Sequence, residues 1–225
     1  KARALDDTEA VELDLGWDFS VPVDRRLTNP SSTRQIRYRV QLEDSDPAAV
    51  FVSGPTQQVR PVDDHTAEIV VTAVRPAPDD SQAADDTQSP AHDRPTSADL
   101  EPNRLIQSDD PAIVAMAEEA AGEATNPWEA ALAFERYVSE HISSKGFSQA
   151  FATAAEVAKT KSGDCTEHAV LLAALARARG IPARVTVGLV YMPGAQAMGY
   201  HMWNELYVEG RWIPMDATLA RGGTG

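Results

Sequence analysis

The chain has 225 residues, 34 acidic against 20 basic side chains, and a formal charge of −14. That balance lacks the basic footprint a nucleic-acid binder needs and repels anionic surfaces. With 43% hydrophobic residues and no apolar run near the roughly 18 residues of a membrane helix, the composition describes one large or two small folded domains. The single cysteine, Cys165, excludes an internal disulfide framework. The chain opens on Lys1 without a signal-peptide pattern, as an excised piece or a mature chain whose leader is gone would. The compartment stays open, with a lean to an extracytoplasmic (periplasmic or secreted) location.

Residues 9 to 75 read as β structure. Val11, Leu13, Leu15, Trp17, Phe19, Val21 and Val23 alternate with polar positions, as do Ile36 to Leu42 and Ala67 to Ala73. Short strands separated by Pro, Gly, Asn and Asp predict a β-sandwich-like N-terminal domain over residues 1–75. From 76 to 102 the chain turns to Asp, Ser, Pro and Ala, the composition of an acidic linker or mobile loop.

Helices are predicted in the remaining part, residues 103–225. Asp110-Pro111 starts one that stops at Gly122, and Asn126-Pro127 starts another, with Glu129 completing a capping box and Ala131, Phe134, Val138 and Ile142 on one face. Thr153 and Glu156 repeat the capping pattern. Asp164 and Glu167 form a capping box that begins a helix at Cys165, with an apolar run from Ala169 to Ala176 and a stop at Gly180-Ile181-Pro182. The cysteine therefore sits where unpaired N–H groups and the positive dipole end favour a thiolate.

After Pro182 the period changes to two. Val185 to Tyr191 alternate, Met192 to Gly199 read as a loop, and His201–Val208 and Arg211–Thr218 form a hairpin around Glu209-Gly210. A two-residue turn sets Val208 opposite Arg211 and Trp203 opposite Asp216. Met202, Leu206, Val208, Ile213 and Met215 then share the apolar face, and His201, Trp203, Glu205, Trp212 and Asp216 share the other. His201 and Asp216 become diagonal neighbours within reach of a carboxylate–imidazole hydrogen bond. A three-residue loop would send Asp216 to the opposite face.

Cys165 as nucleophile, His201 as base and Asp216 as its orienter is the layout of cysteine-based acyl transfer. The backbone N–H of Cys165 is one oxyanion donor, and Gln149, with Trp203, is a candidate oxyanion or substrate-binding residue. Cys165-x-x-His168 with His201 offers three zinc ligands. A closed zinc site wants a fourth, and His168 reads more simply as a packed or solvated helix histidine, so no metal is expected.

The blocks Gly163-Asp-Cys165, Arg177 to Arg184, His201-Met-Trp-Asn-Glu205 and Gly210 to Thr218 resemble, in order, the transglutaminase-like superfamily. The resemblance runs from about Asp110 to Thr218. It implies an α+β fold, a papain-like core of helices packed on an antiparallel sheet, preceded here by an all-β domain like that of many bacterial members. It also implies the Cys165–His201–Asp216 triad, a peptide or protein substrate, no cofactor, and either protease- or amidase-like hydrolysis or transfer to an amine. Family cores continue with further strands after the aspartate, whereas this chain ends at Gly225. A catalytically silent binding or scaffold module on the same fold is the alternative.

Overall fold

In a computed structural model, residues 20–74, 93–144 and 152–219 are described. Each helix starts where a short polar side chain can accept the N–H groups that a first turn leaves unpaired. Asp110 accepts from Ala112 N (2.8 Å) and Pro111 occupies the first position of α2 (Pro111–Ala121), which Gly122 ends with φ near +53°. Asn126 accepts from Glu129 N (2.9 Å) at the start of α3 (Pro127–His141). The Glu129 carboxylate turns instead to the N–H and hydroxyl of Thr125. Thr153 and Glu156 cap α4 (Ala154–Thr160) reciprocally. The last helix, α5 (Cys165–Ala178), is the core of the molecule, with Leu171, Leu172 and Leu175 fully buried among residues of α2, α3 and α4.

Against α5 lies an antiparallel sheet. Its centre is β6 (Ala197–Val208), whose residues 197–206 pair with β5 (Ala183–Met192) along the whole of β5. On its other side β6 pairs first with β1 (Val21–Pro22) and further along with β7 (Arg211–Met215). The α+β architecture of helices on an antiparallel sheet is as the sequence predicts. The turn Glu209-Gly210 has both central residues at positive φ (54° and 82°), the form whose twist suits a two-residue hairpin. Its register, Val208 opposite Arg211 and Asn204 opposite Met215, is the predicted one.

Two details of this sheet differ from expectation. Strand β6 begins at Ala197, so the loop before it spans only the four residues 193–196, and β7 ends at Met215 rather than near Thr218. The buried positions of β6 also change parity: Ala197, Gly199 and His201 are buried, then Asn204, Leu206 and Val208. Pairing with β5 runs through without a shift, so the switch is a change in which face is covered and not a bulge. Asn204 donates to Ala169 O (2.9 Å), which shows α5 covering the second half. Met202, predicted on the apolar face, falls in between and is only half-buried.

The preceding region contains one antiparallel sheet of β2 (Gln35–Gln41), β4 (Thr66–Thr72) and β3 (Gln57–Asp63), with a helical turn, α1 (Pro47–Val50), between β2 and β3. Two facing sheets, and hence an all-β domain, are not shown among the described residues. The long alternation from Val11 lies mostly outside them. Its end, Val21–Pro22, joins β6 rather than β2–β4.

Residues 93–101, inside the stretch read as a linker, are docked on the core. Arg184 bridges Asp93 (2.7 Å) and Glu205 (2.7 Å) while stacking 4.1 Å over the Trp212 ring. The indole N–H of Trp212 donates to Asp93 O (2.6 Å), and the buried Arg177 donates to Glu101 O and Ala183 O. The composition of this stretch does not announce such anchoring, because the partners, Arg177, Arg184 and Trp212, lie 76 to 119 residues downstream. Arg184→Ala is expected to speed amide exchange through Thr96–Leu100 while α5 keeps its protection, at a stability cost on the order of 1–3 kcal/mol. Unchanged exchange in 96–100 would show that the arginine does not hold this segment.

Candidate active site

Cys165 occupies the first position of α5, and the local chemistry explains why it stays there. Asp164 accepts from Thr166 N (2.8 Å) and from Glu167 N, while Glu167 accepts from Asp164 N (3.0 Å). The cap engages the N–H groups on either side of it, and that of Cys165 is not among those the cap uses. Glu167 is itself buried, and its second oxygen accepts from Ala152 N (3.3 Å), tying the helix start to the segment before α4. Burial and the neighbouring Asp164 carboxylate push the Glu167 pKa up, against the backbone N–H groups that stabilise its charge. Glu167 packs so closely on Gly163 that a Cβ there would lie 2.2 Å from its own Cβ. Gly163 is thus required by the cap, not by its backbone angles.

His201 arrives from β6 at the point where the covered face of that strand changes. Its Nε2 lies 2.7 Å from Asp216 Oδ2, and the ring is only 8% exposed. The imidazole is also within hydrogen-bond reach of the Cys165 thiol. With Nε2 engaged by Asp216, Nδ1 is the nitrogen left for sulfur. Burial alone would pull the His201 pKa down. The hydrogen bonds and charges of Asp216 and Cys165 outweigh it and raise the value to about 9.

Asp216 follows directly after β7 and is fixed from three directions. Its Oδ1 accepts from Thr218 N (3.0 Å) and Leu219 N (3.1 Å), an Asx-type turn, which leaves Oδ2 for the imidazole. Its own N–H donates to Glu135 Oε1 (2.8 Å), a buried carboxylate on α3.

The remaining predicted residues are placed as follows. Trp203 lies half-buried with its ring 6.2 Å from that of His201, over Gly188, where a Cβ would come within 2.5 Å of the indole. Gln149 lies outside the described residues. The Nδ1 of His168 lies against Asp164 O (2.5 Å), and burial chiefly holds this imidazole below its ordinary pKa. It packs on its own helix turn, as the simpler reading of the sequence has it.

Glu135 was not found from the sequence. The signal exists: it falls on the buried stripe of α3, between Ala131 and Val138, where the helical period calls for an apolar residue. Gly188 gives no such signal, because the indole that needs its missing Cβ comes from the neighbouring strand.

A cysteine at a helix N-terminus, facing an imidazole that a carboxylate on the next strand holds, on a sheet packed against that helix, defines the class: a papain-like, transglutaminase-like core. Residues 114–217 match the model of the Transglutaminase-like superfamily. The chain is similar to the structure titled a putative cysteine protease from Cytophaga hutchinsonii (19% identity, TM-score 0.52, covering 88% of this chain and 70% of that one). It is equally similar to the periplasmic domain of TgpA from Pseudomonas aeruginosa, bound to ethylmercury (19% identity, TM-score 0.53, covering 84% and 73%). At such identities these likenesses show the fold. No curated protein matches the chain.

A raised histidine pKa links the site to folding. Because the folded value of about 9 lies above the ordinary 6.5, the charged ring stabilises the fold in full below about pH 6.5, and that contribution is lost as pH rises through 9. Its size is on the order of 3 kcal/mol. Denaturant unfolding from pH 6 to 9.5 should show the native chain losing stability that His201→Gln does not lose. Parallel pH profiles would contradict a charged, paired imidazole.

Proposed function

We propose that Cys165, His201 and Asp216 act as a catalytic triad for acyl transfer at a peptide or amide carbonyl. The observation that carries this reading is the placement of His201, buried between the helix-borne thiol and Asp216. The Cys165 thiolate attacks the carbonyl carbon, and its electron pair forms the C–S bond while the carbonyl oxygen takes the negative charge. We assign the Cys165 N–H as a donor to that oxyanion, with Gln149 proposed as a second. Collapse expels the amine, which takes its proton from the His201 imidazolium, leaving a thioester and a neutral ring. Water, or a second amine, then gives a proton to His201 as it attacks the thioester, and the thiolate leaves to restore the ion pair. Asp216 keeps the ring oriented and compensates its charge throughout.

The two outcomes differ only in the nucleophile that resolves the thioester, and hydrolysis of a peptide or amide bond is the reading we favour. The family match supports acyl transfer as a whole, and the structural neighbour titled a putative cysteine protease favours hydrolysis. We take Trp203, beside His201, to line the substrate cleft. The proposed catalytic unit is residues 103–225, behind an N-terminal β part (1–75) and a connecting stretch (76–102). A location outside the cytoplasm is consistent with the periplasmic neighbour. No helix among the described residues is long and apolar enough to cross a membrane.

The test is the alkylation rate of Cys165 against pH, read by intact mass. In the native chain labelling is expected to remain fast well below about pH 8.5, the ordinary thiol value, and in His201→Ala to drop at least about tenfold at pH 6. Peptide libraries with and without an added amine then separate hydrolysis from transfer. Slow labelling that rises only near the ordinary value in both proteins would leave the fold as a binding or scaffold module.

A further inference from the structure

We propose that Glu135 is a positioning residue of this site, acting through its hydrogen bond to the backbone N–H of Asp216 to aim that carboxylate at His201. The inference rests on the triad reading above, but its own readout does not.

Position 135 sits among Ala131, Phe134 and Val138 on the buried face of α3, all essentially without solvent exposure. Glu135 is itself only 3% exposed. An ionisable side chain in such a stripe is costly, and a leucine would fill the place with no polar group to satisfy. What the carboxylate supplies that leucine cannot is an acceptor for Asp216 N, at 2.8 Å. That N–H belongs to the first residue after β7, where ladder pairing with β6 has already stopped at Met215 opposite Asn204. Without an acceptor there, the backbone at 216 has no sheet bond to define it. The turn bonds from Thr218 and Leu219 only hold the side chain relative to its own loop. Glu135 thus ties the loop to α3, and α3 packs on α5, the helix that carries Cys165. Among the described residues, His201 on β6, His168 on α5 and Glu135 on α3 bear on Asp216, and Cys165 on α5 bears on His201.

The experiment compares Glu135→Leu with Glu135→Gln, reading the His201 titration by NMR of the ring and Cys165 alkylation in parallel. Gln keeps an acceptor oxygen and Leu does not. Glu135→Leu is expected to fold with its buried stripe intact, while the His201 pKa falls from about 9 by about one unit or more and alkylation at pH 6 slows about tenfold. Glu135→Gln is expected to keep both near native. A merely structural role would shift unfolding and leave the His201 titration in place. A folded Leu variant with an unmoved titration overturns the proposal, as does a Gln variant as impaired as Leu. Should the Leu variant not fold, the Asp216 amide of the native chain decides: slow hydrogen exchange and a downfield proton shift support the bond to Glu135, and rapid exchange overturns it. If native Cys165 alone proves unreactive while His201 still responds to position 135, the catalytic reading fails and this inference stands.

Discussion

The register between β6 and β7 is the constraint on which the rest of the site depends. His201 and Asp216 come from opposite arms of one hairpin, and side chains on a strand alternate faces with a period of two. A slip of a single residue would carry Asp216 away from the imidazole and turn Ile213 and Met215 out of the core. Two features enforce the observed pairing. The Glu209-Gly210 turn, with positive φ at both residues, admits only a two-residue connection. Burial of Leu206, Val208, Ile213 and Met215 fixes the same alignment from the other side. Packing and the geometry of the His201–Asp216 pair thus follow from one register, which brings the two residues within reach of each other before their own hydrogen bonds aim them.

The pairing then decides a competition between burial and charge. A ring as buried as His201 would ordinarily lose its proton more readily, since desolvation penalises the charged form. Here the same burial removes the water that would screen Asp216 and the Cys165 sulfur, and their attraction for the charged ring wins. On the sulfur side Cys165 stands at the first turn of α5, the positive end of the helix dipole. The thiol and the imidazole come from separate elements, which is why α5 must be locked at its first turn. The Asp164–Glu167 cap, the close approach of Glu167 to Gly163 and the bond from Ala152 all serve to fix where α5 begins.

Most of this was legible from residue order because local rules govern it. Cap boxes at Thr153 and Asp164, prolines at helix starts, the hairpin turn and the alternation around it are short-range signals, and the helices and hairpin form where those signals fall. What was not legible is long-range. Asp93 reads as a solvated linker residue until Arg184 and Trp212, distant in sequence, are seen to hold it. The parity change in β6 depends on which element covers each half of the strand, and no periodicity in β6 itself encodes that. The short β1 joins β6 although its sequence continues the alternation of an earlier segment, since strand propensity does not name a partner.

Three of the buried polar side chains, Glu135, Glu167 and Arg177, obey a common logic. Glu135 accepts from Asp216 N, Glu167 from Asp164 N and Ala152 N, and Arg177 donates to Ala183 O and Glu101 O. Each partner is a backbone group at a place where a helix or strand begins or ends, or in a loop, so regular structure gives it no mate. Burying a charged group there costs several kcal/mol unless hydrogen bonds offset it, and an apolar side chain of similar size would often be the more stable choice. An apolar side chain, however, holds its neighbours by contact alone and tolerates small shifts of the chain. A carboxylate or guanidinium fixes a donor or acceptor within a few tenths of an ångström of one position. The core therefore places directional groups where chain ends must be aimed, at Cys165 and at Asp216, and leaves the interior of α5, from Ala169 to Ala176, to apolar packing.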